Sequence, residues 1–365
     1  MELTQLHLKN IAELLSRRQK FLSRLIFSRF QLSRLDYKLL VSLMASRDDC
    51  RNKLDDPSSL DDIQLFLQLF HGFIDHPDMT INHLDTHFDA LVEQQQIIAS
   101  AMQLAKIKID QTVQKPQHPE LQLLLARFAY QFDLKTLHFW VDASSPELIA
   151  NLLHRLIYEH QQQDDSWLKP HANSCHPSIR CNALQLLAIQ NNQRAITQLL
   201  EEPHEMFESG LTAKAILAWF HPEYCMNHEP EFLALTGKPE SIPRLFELMQ
   251  SPQNHSAAYQ GWLYITGRTL PHYPEVRDIE VEAQHVAPTA TSYPDIKVAS
   301  KWWRKQSWNN DNRYFLGQPI NPSGINYLAQ TYVGQCLSVL GLYQRLHSLP
   351  AQASLTGFCL PRGVE

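Results

Sequence analysis

Apolar residues return every three or four positions along most of this chain, the period of helices that bury one face. The pattern is clearest over residues 176–202. There Pro177 opens a stripe of Ile179, Ala183, Leu184, Leu186, Leu187 and Ile189. A polar break, Asn191-Asn192-Gln193, leads to a second stripe of Ala195, Ile196, Leu199 and Leu200. Two such short helices cannot cover their own apolar faces, so they call for neighbours stacked on both sides.

The same rhythm extends in both directions. Residues 1–115 read as almost entirely helical, with segments at 10–44, 60–74 and 81–113 and a break at 55–62, where Ser58, Ser59 or Asp61 can cap the next helix. After the double-proline linker 115–119, the predicted helices shorten: 119–131, 134–143, 146–161, 177–190, 194–201, 211–219 and 229–235. Pairing 239–249 with 256–266 places Gly237 and Gly267 at helix ends, where a left-handed residue is needed. Residues 268–300, with four prolines, read as an extended loop, and 296–306 and 324–349 as a last helical region separated by the turn-rich 308–321.

The predicted fold class is all-α: an α-solenoid of degenerate HEAT-like repeats with an N-terminal helical region and a C-terminal helical cap. The expected divisions are 1–115, 116–267, 268–300 and 301–365. A content of 44% hydrophobic and 19% charged residues belongs to a folded chain, and 11 glycines fit helices with few hairpins. The net charge of −6 gives no global reason to expect nucleic acid. Six scattered cysteines with no CxxC, no signal-peptide pattern and no apolar run of membrane-spanning length point to a cytoplasmic protein without a membrane span.

Three stretches, 11–43, 235–267 and 301–346, carry a likeness in their combination and order. On them the chain resembles a family of functionally uncharacterised bacterial HEAT-like repeat proteins often encoded among type VI secretion genes. The positions that fit its pattern are Arg17, Asp36, Gly237, Pro239, Pro243, Thr266, Gly267, Trp302, Trp303, Arg313, Gly317 and Gln335. The resemblance implies an all-helical repeat protein with a cytoplasmic role beside a secretion machine, and it brings no catalytic residues.

Candidate chemistry is sparse. His83 and His87 fall on one helical face beside Asp85 and Asp89, and His171, Cys175, His176 and Cys181 crowd together, yet zinc sites take three or four converging ligands. Neither cluster meets that requirement in sequence, so no metal and no cofactor are expected. Nucleophile elbows and phosphate-binding loops are absent, and Gly237-Lys238-Pro239 reads as an inter-helix turn. Catalytic residues are therefore assigned to none.

Two places suit a partner. Arg17, Lys20, Arg24, Arg34 and Lys38 would share one arc if residues 13–38 formed an unbroken helix, although Asp36 and the acids at 48, 49, 55 and 56 can pair with them. Trp302, Trp303, Trp308, Tyr314, Phe315, Tyr327 and Tyr332, interleaved with Arg304 and Arg313, supply the residue types that dominate binding hot spots and also those that seal the end of a solenoid. Arg313 is either an organiser bonded to loop carbonyls or an exposed anchor. The expected partner-binding residues are Arg17, Arg24, Trp302, Trp303, Arg313 and Tyr314. The expected function is a non-enzymatic scaffold or adaptor for another protein, a secretion component or effector. The alternatives are an immunity protein that occludes a toxin, and a metal-dependent or small-molecule-handling enzyme on the same repeats.

Overall fold

The computed structural model describes residues 3–22, 24, 27–46, 61–129, 131–142, 145–158, 164–201, 211–222, 230–274, 292–334 and 336–347. The chain is mostly helical. It divides into two compact units, Met1–Ser209 with Ala329–Glu365, and Gly210–Leu328. The linker at 115–119 lies inside the first unit, where the Asp85 carboxylate accepts from the amides of Gln117 at 2.7 Å and His118 at 2.8 Å.

The first unit opens with α1 (Leu3–Leu22), β1 (Phe27–Ser28) and α2 (Arg29–Ala45). The two helices pack together, burying Ile11 and Leu14 of one with Leu32, Leu35, Leu39 and Leu43 of the other. A single helix over 10–44 could not bring those stripes face to face, and the chain reverses instead. Residues 23–26 include neither Gly nor Pro, so local sequence carries no mark of where α1 ends. Arg18 and Asp36 pair across the two helices at 2.8 Å.

Next come α3 (Asp62–Asp75), α4 (Pro77–His87), a 3-10 stretch (Phe88–Gln94) and α5 (Gln95–Ala105). Asp61 caps α3 by accepting from the amides of Ile63 and Gln64; Ser58 and Ser59 lie outside the described residues. The helix expected over 81–113 is interrupted by the 3-10 stretch, and then ends where Lys106 takes a left-handed conformation. After β2 (Lys108–Ile109) follow α6 (Pro119–Phe128), β3 (Gln131–Phe132), α7 (Leu134–Asp142), α8 (Pro146–Tyr158), α9 (Asp165–Ala172), α10 (Pro177–Ile189) and α11 (Gln193–Glu201). A parallel bridge joins β2 to β3. Proline in the first turn starts α4, α6, α8 and α10, where its missing N–H is no loss. Helix α6 packs on α8, α8 on α10, and α10 on α9 and α11.

Between α8 and α10 lies His154. Burial holds its imidazole down to about 4, opposed by a hydrogen bond to Asn182 and reinforced by Arg127. The folded value lies below that of a free histidine, so the unfolded chain takes up the proton first, and stability falls as pH drops from about 6.5 towards 4. Between pH 7.5 and 4.5 the loss from this group is about 2 kcal/mol. Urea titrations at both pH values should show His154→Gln removing that share of the acid sensitivity; an unchanged difference would rule the assignment out.

The second unit contains α12 (Leu211–Phe220), α13 (Pro230–Leu235), a 3-10 turn (Pro239–Ser241), α14 (Ile242–Met249), α15 (His255–Thr266), β4 (His272–Pro274), β5 (Ser292–Pro294), α16 (Ile296–Trp303), the hairpin β6 (Tyr314–Phe315) and β7 (Gln318–Pro319), and the start of α17 (Pro322–Thr331). The ends of the expected loop at 268–300 are an antiparallel ribbon, with Tyr273 opposite Tyr293; residues 275–291 lie outside the described residues. The core gathers Leu233, Ile242, Leu245, Met249, Ala258, Trp262, Ile265 and Ala299. The chain then returns to the first unit with β8 (Tyr332–Val333), which pairs antiparallel with β1, and α18 (Cys336–Leu346), which packs on α8. There Arg345 donates to the carbonyls of Leu156 and Ile157 at the end of α8. Among the described residues, no helix is long and apolar enough to cross a membrane.

Candidate functional site

The residues singled out in the C-terminal part of the sequence converge on one clasp inside the second unit. Helices α13 and α15 end alike, in Thr236-Gly237-Lys238 and Thr266-Gly267-Arg268. Each threonine hydroxyl donates back into its own helix, to Leu233 O and Trp262 O at 2.7 Å, and accepts from the amide two residues on. Each glycine then turns left-handed, with φ of 63° and 65°. The hairpin β6–β7 lies across both ends. Tyr314 N–H donates to Gly237 O at 2.7 Å, Leu316 N–H to Tyr264 O at 2.6 Å and Gly317 N–H to Ile265 O at 2.9 Å. A Cβ on Gly237 would come within 2.8 Å of Tyr314 O, and one on Gly267 within 2.7 Å of Leu316 O.

Arg313, just before the hairpin, completes the clasp. Its guanidinium donates to Ala218 O at 2.9 Å, Trp219 O at 2.6 Å and, more loosely, Thr236 O at 3.4 Å. It also lies 4.4 Å from the centre of the Trp219 ring. These carbonyls stand at the C-terminal ends of α12 and α13, where a cation is favoured. Of the two roles open to Arg313, the organiser is the one its contacts describe. Tyr314 is buried, and its hydroxyl accepts from Asn309 N–H.

Trp302 and Trp303 are half-buried and packed on Trp262, with ring centres 5.5 and 6.5 Å away. Trp303 stacks on Trp308 at 5.0 Å, and the Arg268 guanidinium lies 4.9 Å from the Trp302 ring centre. The aromatic faces are thus engaged within the unit, as a seal over its core requires.

The other expected surface divides between two helices. Arg17, on α1, pairs with Glu13. Arg24 lies in the turn, 5.7 Å from the ring centres of both Phe21 and Phe27. The shared arc of cations does not form, because the helix that would have aligned them is two helices. Gln335 and the acids at 48, 49, 55 and 56 lie outside the described residues.

What sequence reasoning missed is the outer face of α2. Phe30 (71% exposed), Tyr37 (70%), Leu40, Val41 and Met44 stand in solvent, opposite the buried leucines of the same helix. Phe30, Tyr37 and Met44 recur every seven residues, and Leu40 and Val41 fall three and four after Tyr37. Together they make an apolar stripe about 21 Å long. Arg34 and Lys38 line one edge, with the Arg34 guanidinium 5.9 Å from the Phe30 ring centre. The signal was an excess of apolar residues in 29–45 over what one buried face uses.

The metal and enzyme candidates are placed as follows. The His83 and His87 rings lie 4.5 Å apart with their planes tilted by 53°, while Asp89 pairs with His118 Nε2 at 2.9 Å and Asp85 serves the linker amides. Cys175 is exposed and Cys181 buried, both as thiols. Among the described residues, no group of three or more His, Cys, Asp or Glu is arranged to hold a metal ion. A depression of about 580 Å3 is lined by Asp62 and residues 92–97, and one of about 230 Å3 by His255, Ser256, Tyr259, His272 and Pro294. Comparison with models of protein families, with curated proteins and with solved structures returned no match.

Proposed function

We propose that this chain is a non-enzymatic protein-binding scaffold built on degenerate HEAT-like helix pairs, acting in the cytoplasm as an accessory of a bacterial type VI-like secretion machine. The observation that carries the binding role is α2, which is apolar on both faces and buries only one. A contiguous exposed apolar stripe marks an interaction surface, whereas single exposed apolar residues do not. Phe, Tyr, Met and Arg are also the residues enriched where proteins meet. The secretion setting rests on the resemblance of residues 11–43, 235–267 and 301–346. Helix-on-helix succession from α6 to α11 supports the repeat reading.

Affinity capture from the native cytoplasm, run with the full chain and with Tyr37→Asp/Val41→Asp, tests this. A secretion component or effector should be recovered in stoichiometric amount with the native chain and reduced at least tenfold with the variant, whose helical circular dichroism should be unchanged. Equal recovery on both chains would remove α2 from the binding surface.

A further inference from the structure

We infer that the outer face of α2 is the seat of an acidic amphipathic helix from a partner protein, laid along the stripe as in a left-handed coiled coil. This rests on the scaffold reading and specifies its partner. The spacing is the first argument. Phe30, Tyr37 and Met44 repeat every seven residues, with Leu40 and Val41 between the second and third and Ser33 and Arg34 between the first and second. A strict seven-residue repeat keeps a seam facing one straight partner helix, because supercoiling takes up the mismatch with 3.6 residues per turn. Four turns of exposed seam match a partner helix of ordinary length.

Charge gives the second argument. Arg34 and Lys38, four residues apart, form one edge of the seam, and neither is held in an ion pair among the described residues. The chain as a whole carries −6, so this is a local cationic edge on an acidic protein. A partner helix with Glu or Asp beside its apolar positions meets that edge with opposite charge, as flanking residues do in coiled coils. An antiparallel second copy would instead bring both copies' Arg34 and Lys38 to the same edge, where they repel. A lipid surface suits a helix with Lys and Arg across a broad polar face; here the opposite face of α2 is buried leucine, and its cations lie along one margin only.

Fluorescence anisotropy with three labelled peptides of about 21 residues tests the inference. All carry Leu at the first and fourth positions of each heptad; the flanking positions are Glu, Gln or Lys. At low salt the full chain should bind the Glu peptide roughly fivefold or more tighter than the Lys peptide, with Gln between. Arg34→Glu/Lys38→Glu should reverse that order, and Tyr37→Asp/Val41→Asp should abolish all three. Equal affinities, or an order indifferent to the charge reversal, would overturn the acidic helix. So would a chain that sediments as a dimer and is made monomeric by Tyr37→Asp, or one that binds vesicles of phosphatidylcholine and phosphatidylglycerol and none of the peptides. If the peptides fail while the captured partner is still lost in Tyr37→Asp/Val41→Asp, the acidic helix falls and the scaffold stands. If the captured partner ignores that variant, the scaffold surface falls.

Discussion

Gly267→Ala is expected to destabilise the second unit by about 3 kcal/mol, as chemical denaturation followed by tryptophan fluorescence would read it. The left-handed backbone alone disfavours alanine by about 1 kcal/mol, since φ here is 65°. The larger part is contact. The new methyl would lie 2.7 Å from Leu316 O, a backbone atom of the hairpin that cannot rotate away. Shifting the hairpin to make room weakens the bonds from Leu316 and Gly317 to the end of α15. Gln260→Ala, on the exposed side of the same helix, serves as the control and should change stability by less than about 0.5 kcal/mol. Similar effects from the two substitutions would mean the clasp contributes little.

Arg313→Ala should have an effect of comparable size, about 3 kcal/mol, because hydrogen bonds from a charged donor to enclosed carbonyls are worth more than neutral ones. Three carbonyls lose the Arg313 donor at once, and Trp219 loses the planar group over its face. Arg313→Lys restores the charge but not the fork that reaches two helix ends, so it should recover less than half of the loss. Full recovery in the lysine variant would show that charge at the helix ends is sufficient and that the bonding geometry is not.

The helices that sequence located well are those with punctuation. Pro119, Pro146 and Pro177 each open the helix expected from them, and Gly237 and Gly267 both turn left-handed at the ends they mark. The reversal between α1 and α2 carries no such mark, and apolar residues surround the helix that follows, so periodicity there does not point to one side. The hairpin β6–β7 reads in sequence as a turn-rich connector because each strand has two residues, too few for alternation to show. Arg313 was legible as a residue of interest but not in its role, because its partners lie 77 to 95 residues earlier in the chain. The repeated Thr-Gly-Lys and Thr-Gly-Arg was present in the sequence, but its meaning depends on the third element that both ends touch.

That repeated ending has a consequence for how this chain can change over time. The two glycines stand thirty positions apart, and a single rigid hairpin must meet both. The hairpin therefore works as a gauge. Adding or removing a residue within α15 would rotate its end by about 100° and withdraw it from the hairpin. The turn at 250–254, between α14 and α15, bears no hairpin contact among the hydrogen bonds that form the clasp. Descendants of this sequence should accordingly vary in length there, and keep the span of the helix that follows.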